Sequence, residues 1–260
     1  MRVQGHQIDT LGTTEAERFE GRMVHHVDTF FRGAIWLLGE PQIRDAIRLG
    51  LQRAGRYGIE FQRDACLYIS LMFVLVLGSH FDEDPLHPWA HEILTEDTFS
   101  SPKLRVDTLY DRAMVYLDRV LGRKNQHIMR AAARFLAETP EALFTPHGSG
   151  ELPPRLRERL QQVYPEKYAA HGEAELDALI ADGITRASSI GLQDERNIVT
   201  YVCAMFVFGH RFDVDPKLAN LTQGLRDPAA DEGARMGALY ERARDLIEKA
   251  TVRAAAQGSD

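Results

Sequence analysis

The sequence predicts an all-α protein built from a tandem duplication of one multi-helix unit, each copy organised on a buried central helix. Leu67 to Gly78 and Thr200 to Gly209 are apolar almost throughout. Both stretches are too short to cross a bilayer and too continuous for one face of an exposed helix. A buried strand is the competing interpretation of short apolar runs, but the flanking residues follow helical spacing and favour the helix.

The duplication becomes visible when each residue is placed beside the one 133 positions further on. Met72-Phe73-Val74 then falls on Met205-Phe206-Val207. Two residues are dropped before Gly209, and Phe81-Asp82-x-Asp84-Pro85 then meets Phe212-Asp213-x-Asp215-Pro216. Matches in one order over about 100 residues predict two copies, at 18–121 and 151–251, joined by a helical connector and linker at 122–150. Other matched pairs are Arg22/Arg155, Gly39/Gly172, Gly50/Gly183, Gly58/Gly191 and Tyr68/Tyr201.

Capping residues and apolar spacing place the helices of the first copy in order. A capping-box pattern predicts a first helix from Thr14 to Gly39, with Phe30 on its inner stripe. A second helix is expected from Pro41 to Gly58, because proline suits a first turn and glycine a helix end. The buried central helix follows, from about Gln62 to Leu77.

Proline signals continue the order through the connector. Either Asp84-Pro85 or His87-Pro88 is expected to open a short helix through Leu94, and Ser101-Pro102 repeats that signal for a longer one. Residues 124–137 have amphipathic helical spacing, and Thr139-Pro140 begins a short further turn. Pro146 to Pro154 is rich in proline and glycine, which is typical of a linker.

Composition excludes several classes of protein. The chain has 260 residues, 44% of them hydrophobic, and a net charge of −7, which argues against a nucleic-acid surface. Cys66 and Cys203 both lie in the predicted core helices, where cysteine behaves as a small apolar residue. With no signal peptide and no apolar run long enough to span a membrane, we expect a soluble, cytoplasmic protein.

The repeated Phe-Asp-x-Asp-Pro is the most prominent motif. A functional interpretation is a carboxylate pair that binds a divalent cation. A structural interpretation is a turn in which an aspartate ahead of proline caps a helix and satisfies its free amides. Because no phosphate-binding glycines and no further carboxylates follow a set pattern nearby, we favour the cap.

Three histidines and two aspartates crowd the first copy of this motif. His87 and His91, four residues apart, could share a metal ion, with His80, Asp82 and Asp84 close in sequence. No third ligand stands at a telling spacing, and the corresponding positions of the second copy are Arg211, Leu218 and Thr222. We therefore expect no metal and no cofactor. The alternative, a metal-dependent enzyme or a binder of a small lipid-like ligand that uses His80 to His91, stays open.

Catalytic signatures are absent from the sequence. It contains no G-x-S-x-G turn and no phosphate-binding G-x-x-x-x-G-K-[ST] loop, and neither cysteine is placed outside a core helix. We therefore assign no catalytic residue.

The string from RAGRYGI through LMFVLVLGSHFDEDPLHPWAHEIL to RVDTLYDRA resembles a family of small, poorly characterised bacterial helical proteins. The resemblance covers most of 18–121 and, more weakly, 151–251, where Ala219-Asn220-Leu221 replaces Pro-Trp-Ala. Genes of such proteins often lie near type VI secretion spike, PAAR-type or toxin genes. The resemblance implies a role beside a secreted toxin or effector, and it implies no catalytic residue.

These observations lead to the hypothesis of a non-enzymatic interaction protein, acting as adaptor, chaperone or immunity protein. A binding surface used once per molecule is best sought where the two copies differ, and Trp89 corresponds to Asn220. Tryptophan is enriched among residues that dominate binding energy, although Trp89 could instead fill the core of its own copy. The candidate protein-binding residues are Trp89, His87, His91, His80, Asp82 and Asp84.

Overall fold

A computed structural model describes residues 13–74, 76–96, 101–144 and 150–257. Within these ranges the chain is all-α and has no β-strand, which confirms the predicted fold class. None of the described helices is both long and apolar enough to cross a membrane.

The chain forms two compact units. Unit 1 contains the described residues up to Met114 together with Gly209–Ala219, and unit 2 contains Val115–Phe208 together with the residues from Asn220 onward. The motif loop of the second sequence copy therefore belongs to the same unit as the first copy. The predicted segments 18–121, 122–150 and 151–251 were defined by sequence similarity, whereas the two units are defined by packing. The predicted boundaries therefore stay a prediction.

In unit 1, the two N-terminal helices and the helix Gln62–Met72 pack against the helix Glu40–Arg56. Unit 1 contains five helices and the start of a sixth, namely α1 Thr13–Phe30, α2 Ala34–Leu38, α3 Glu40–Arg56, α4 Gln62–Met72, α5 Pro88–Thr95 and the first part of α6 Pro102–Leu121. Short 3-10 turns occupy Phe81–Glu83, Phe212–Val214 and Pro216–Leu218.

Helices α9, α11 and α12 form the centre of unit 2. After the end of α6, its helices are α7 Gln126–Ala137, α8 Pro140–Phe144, α9 Leu152–Val163, α10 Pro165–Tyr168, α11 Glu173–Ser189, α12 Glu195–Phe208 and α13 Glu232–Gln257. A 3-10 turn at Arg123–Asn125 precedes α7.

Helices that correspond in the two sequence copies have matching bounds, 133 residues apart. Both ends of α3 and α11 differ by 133 residues, as do the first residues of α4 and α12. Met72 and Met205 are both 0% exposed, which confirms the prediction that they occupy the cores of the two central helices. The correspondence agrees with a duplication, which itself stays a prediction.

The first central helix is shorter than expected. We predicted a helix to about Leu77, but α4 ends at Met72. The Nζ of Lys217 donates a hydrogen bond to the carbonyl of Met72, and the next amides bond three residues back, from Phe73 to Ser70 and from Val74 to Leu71. A cation on a terminal carbonyl and such tightened turns both favour a helix end. Leu75, inside the predicted helix, lies outside the described residues.

The predicted first helix is wrong in its extent. Instead of one helix from Thr14 to Gly39, α1 ends at Phe30 and α2 begins at Ala34. Gly33 has φ +86°, a left-handed conformation that glycine adopts without steric cost, and it redirects the chain. Phe30 was expected on the inner stripe but is 71% exposed, because the turn ends the helical register there.

The predicted linker is also shorter than expected. Leu152–Pro154 form the first turn of α9. Proline is tolerated there because the amides of a first turn have no carbonyl acceptor inside the helix, so a missing N–H costs no hydrogen bond. Residues 146–149 of the predicted linker lie outside the described residues.

Candidate functional site

The two Phe-Asp-x-Asp-Pro loops lie side by side in unit 1. We call Gly78–His87 the first loop and Gly209–Leu218 the second loop. Gly78 and Gly209 have positive φ angles, and a Cβ atom on Gly209 would lie only 2.8 Å from the Cα of Gly78 and the carbonyl oxygen of Leu77. Only glycine allows the two backbones to approach this closely.

The second aspartate of each motif bonds to the opposite loop. Asp215 accepts hydrogen bonds from the amide of Ser79 at 3.1 Å and from its hydroxyl at 2.8 Å. Asp84 accepts a hydrogen bond from the amide of His210 at 3.2 Å. Ser79 and His210 occupy matched positions, as do Asp84 and Asp215, so the same contact occurs twice. Both carboxylates are buried, so these hydrogen bonds satisfy oxygens that water does not reach.

The same two aspartates also accept hydrogen bonds from amides of their own loops. Asp215 accepts from the amide of Lys217 at 3.0 Å and caps the 3-10 turn Pro216–Leu218. Asp84 accepts from the amide of Leu86 at 2.9 Å. The capping interpretation is confirmed for Asp215, whereas Asp84 makes the corresponding bond in a turn that no helical segment follows directly. The contact between loops adds a role that a local motif does not reveal.

The first aspartate of the first loop forms a buried ion pair. Asp82 accepts hydrogen bonds from Nε and Nη2 of Arg53, at 3.1 and 2.6 Å, and from the hydroxyl of Tyr57 at 2.9 Å. Asp82 and Arg53 are 1% and 2% exposed. Burial opposes the charge on Arg53, but Asp82 outweighs it and raises the pKa of the guanidinium. Burial and the adjacent carboxylate both raise the pKa of Tyr57.

His80 is held in its neutral form. Burial, together with the nearby cations Arg53 and Arg211, lowers the pKa of His80 to about 3 against the opposing effect of Glu83. A histidine with so low a pKa is a weak general base at neutral pH, because efficient proton transfer requires a pKa close to the operating pH.

The other three predicted residues, His87, Trp89 and His91, differ in how far they are buried. His87 is 0% exposed, and its Nδ1 lies 3.4 Å from Oδ2 of Asp84. Its ring meets the half-buried ring of Trp89 edge-on, with centroids 5.7 Å apart. His91 is exposed. His87 and His91 therefore lie in different environments, and the described residues contain no group of three or more metal-binding side chains placed to hold an ion.

Lys217 is a site residue that the motif analysis missed. It is buried, its Nζ lies 3.5 Å from Oδ2 of Asp215 and 5.7 Å from the ring centre of Phe73, and it donates to the carbonyl of Met72. Burial lowers the pKa of Lys217, and Asp215 opposes that effect. A signal existed in the sequence, because the matched position of the first copy is the apolar Leu86.

The paired loops act as a structural clamp. Asp82, Asp84 and Asp215 each accept hydrogen bonds from partners inside unit 1. Four of the six candidate binding residues, His80, Asp82, Asp84 and His87, lie beneath the surface, whereas Trp89 and His91 reach it. A groove of about 310 Å³ opens elsewhere, in unit 2, and its polar and apolar lining includes Leu136, Pro140, Tyr240 and Arg244.

Comparison with known proteins provides no further assignment. No family model matches the chain, and no curated protein and no solved structure matches it either.

Proposed function

We propose that the chain is a non-enzymatic protein-interaction module that serves as adaptor, chaperone or immunity protein for a secreted bacterial toxin or effector. The interaction role is supported by the exposed aromatic residues of unit 1. The toxin or effector as partner is suggested by the resemblance of the motif string.

The observation that carries the proposal is the exposure of two aromatic side chains around the α1–α2 turn. Phe30 is 71% exposed and Trp36 is 59% exposed, and they stand on either side of the turn at Gly33. Around them, Ile35, Leu37 and Leu38 of α2 are only half-buried. Large apolar groups that stay in water mark interaction surfaces more often than scattered small ones do. A partner with an apolar recess would remove both rings from water, and such aromatic anchors dominate interface energies.

The predicted border of the partner site narrows to Trp89 and His91. Of the six candidates, only these two are not fully buried, and the ring of the buried His87 packs edge-on against the ring of Trp89. We keep them as a second contact region of the same proposal.

The test is co-purification of the tagged full chain from its native host. Phe30→Ser/Trp36→Ser is compared with a control that has the same number of substitutions, Val115→Ser/Val252→Ser. The control changes two exposed apolar side chains in unit 2. We expect the aromatic double variant to lose a partner that the wild type and the control both retain, with an unchanged melting temperature.

Trp89→Ala tests the second region in the same assay. Loss of the same partner without loss of stability assigns Trp89 to the interface, whereas a large fall in melting temperature assigns it to the core. If the aromatic double variant retains every partner at the wild-type level, the proposed surface is wrong.

A further inference from the structure

A strongly basic surface lies in unit 2, although the protein is acidic overall. From Arg119 to Ala137 the chain carries five arginine and lysine residues and no aspartate or glutamate, against a net charge of −7 for the whole sequence. The cations are Arg119, Arg123, Lys124, Arg130 and Arg134. All except Arg134 are exposed. So local a reversal of charge creates a potential that attracts anionic groups.

The turn that presents two of these cations has an unusual backbone. Gly122, Lys124 and Asn125 have φ angles of +70°, +52° and +61°. Lys124 and Asn125 are not glycine, and residues of this kind adopt the left-handed region only at a free-energy cost. Backbone strain of this kind concentrates at functional sites.

The same turn is held in place by His127. A Cβ atom on Gly122 would lie 2.7 Å from the His127 ring, which therefore packs directly on the glycine. The Nδ1 of His127 lies 3.1 Å from the carbonyl oxygen of Arg119. A turn fixed in this way loses little conformational entropy when a ligand binds to it.

Arg134 adds a cation with unsatisfied donors. Its Nε and Nη2 atoms are buried and have no hydrogen-bond partner. Arg130, one turn earlier in α7, donates a hydrogen bond at 2.7 Å to Glu166. Donors without an acceptor are costly, so the half-buried Arg134 side chain gains hydrogen bonds when it moves outward to meet an incoming carboxylate.

We propose that Arg123, Lys124, Arg130 and Arg134 form a docking surface for an acidic segment of a partner protein. This surface goes beyond the one around Phe30 and Trp36 and does not depend on it. The exposed stripe of α7 consists of Gln126, Arg130, Ala133 and Ala137, so small side chains lie between long cations. A peptide backbone can approach such a stripe closely while its carboxylates reach the guanidinium groups.

Two other anionic partners fit the surface less well. The exposed stripe of α7 has no large apolar side chain to enter a bilayer, which a membrane-bound helix requires. A long nucleic acid would extend beyond the basic residues and meet a protein of net charge −7. A short acidic segment matches both the sign and the extent of the charge.

The test measures binding of a fluorescein-labelled peptide of alternating glutamate and alanine to the full chain by fluorescence anisotropy. The variant Arg123→Gln/Lys124→Gln/Arg134→Gln is compared with Arg18→Gln/Lys103→Gln/Lys249→Gln, which changes the net charge equally on other exposed residues. We expect the first variant to weaken binding about 10- to 100-fold and the control to leave it within about twofold.

Two further variants separate the surface from folding and from charge alone. Arg123→Gln/Lys124→Gln leaves α7 intact and should weaken binding about 5- to 20-fold. His127→Ala leaves every arginine and lysine in place but frees the turn, and it should weaken binding severalfold.

Three results would overturn the proposal. The first is a wild-type protein that does not bind the peptide at low salt, and the second is equal binding by the two triple variants. The third is tighter binding to phosphatidylserine vesicles or to single-stranded RNA than to the peptide, which would assign the surface to one of those partners.

Discussion

The close approach of Gly78 and Gly209 provides the sharpest test of the loop pair. In Gly209→Ala, the new methyl group would lie 2.8 Å from the Cα of Gly78, and the backbone is at φ +98°. The left-handed backbone alone costs about 1 kcal/mol for alanine. Separating the loops also weakens the buried bonds of Asp84 and Asp215, at about 1–3 kcal/mol for each carboxylate left without its partner.

The expected total for Gly209→Ala is therefore about 3–7 kcal/mol, which corresponds to a fall in melting temperature of roughly 6–28 °C for a chain of this size. Gly191→Ala is the matched control, because Gly191 has φ +76° and its added methyl group would meet nothing closer than 3.8 Å. That variant should lose only about 1 kcal/mol, or roughly 2–4 °C.

Both variants are measured by circular dichroism during heating and by urea titration at neutral pH. The reasoning is refuted if Gly209→Ala is no less stable than Gly191→Ala, because the contact between the two backbones would then carry no constraint.

Three other changes test the core and the buried network. Met205→Asp should cost about 3–5 kcal/mol in urea titration, because it forces a carboxylate into a fully buried apolar site, and a loss below about 1 kcal/mol would contradict that burial. Arg53→Met should destabilise by about 3–5 kcal/mol by stranding Asp82, whereas Arg53→Met/Asp82→Leu should recover most of that loss; equal stability of the two variants would contradict the ion pair. His80 should make stability depend on pH: its pKa is about 3 when folded against 6.5 when unfolded, so only the unfolded chain gains a proton between these values. Stability present above about pH 6.5 is therefore lost as the pH falls toward 3, by on the order of 4 kcal/mol, and the difference between the wild type and His80→Phe should change over that window.

Local patterns were sufficient for the fold class and for most helix positions. The apolar runs around Met72 and Met205, the prolines that begin α5 and α6, and the glycines after α3 and α11 each act through residues a few positions away. Helix spacing, capping and burial are properties of such short segments, so one sequence determines them without knowledge of the tertiary fold. The aspartate cap of the second loop belongs to the same class.

The local patterns were less successful where two signals compete. The apolar residues from Phe19 to Leu38 follow one helical period, yet the chain turns at Gly33 and leaves Phe30 in water. Similarly, the apolar run after Met72 continues, but α4 stops. In the first case a glycine outweighed the periodicity. In the second, a residue far away in the sequence contributed to the helix end.

The sequence by itself determined an all-α protein with two buried central helices, a capped motif loop and one basic run inside an acidic chain. Only the tertiary structure decided which buried groups meet: Ser79 with Asp215, Asp84 with His210, and Lys217 with the end of α4. These partners stand more than 120 residues apart, so no local pattern encodes their pairing. An aspartate before proline looks the same in sequence whether it only caps its own turn or also binds a second loop, because the second bond depends on a backbone brought close by packing.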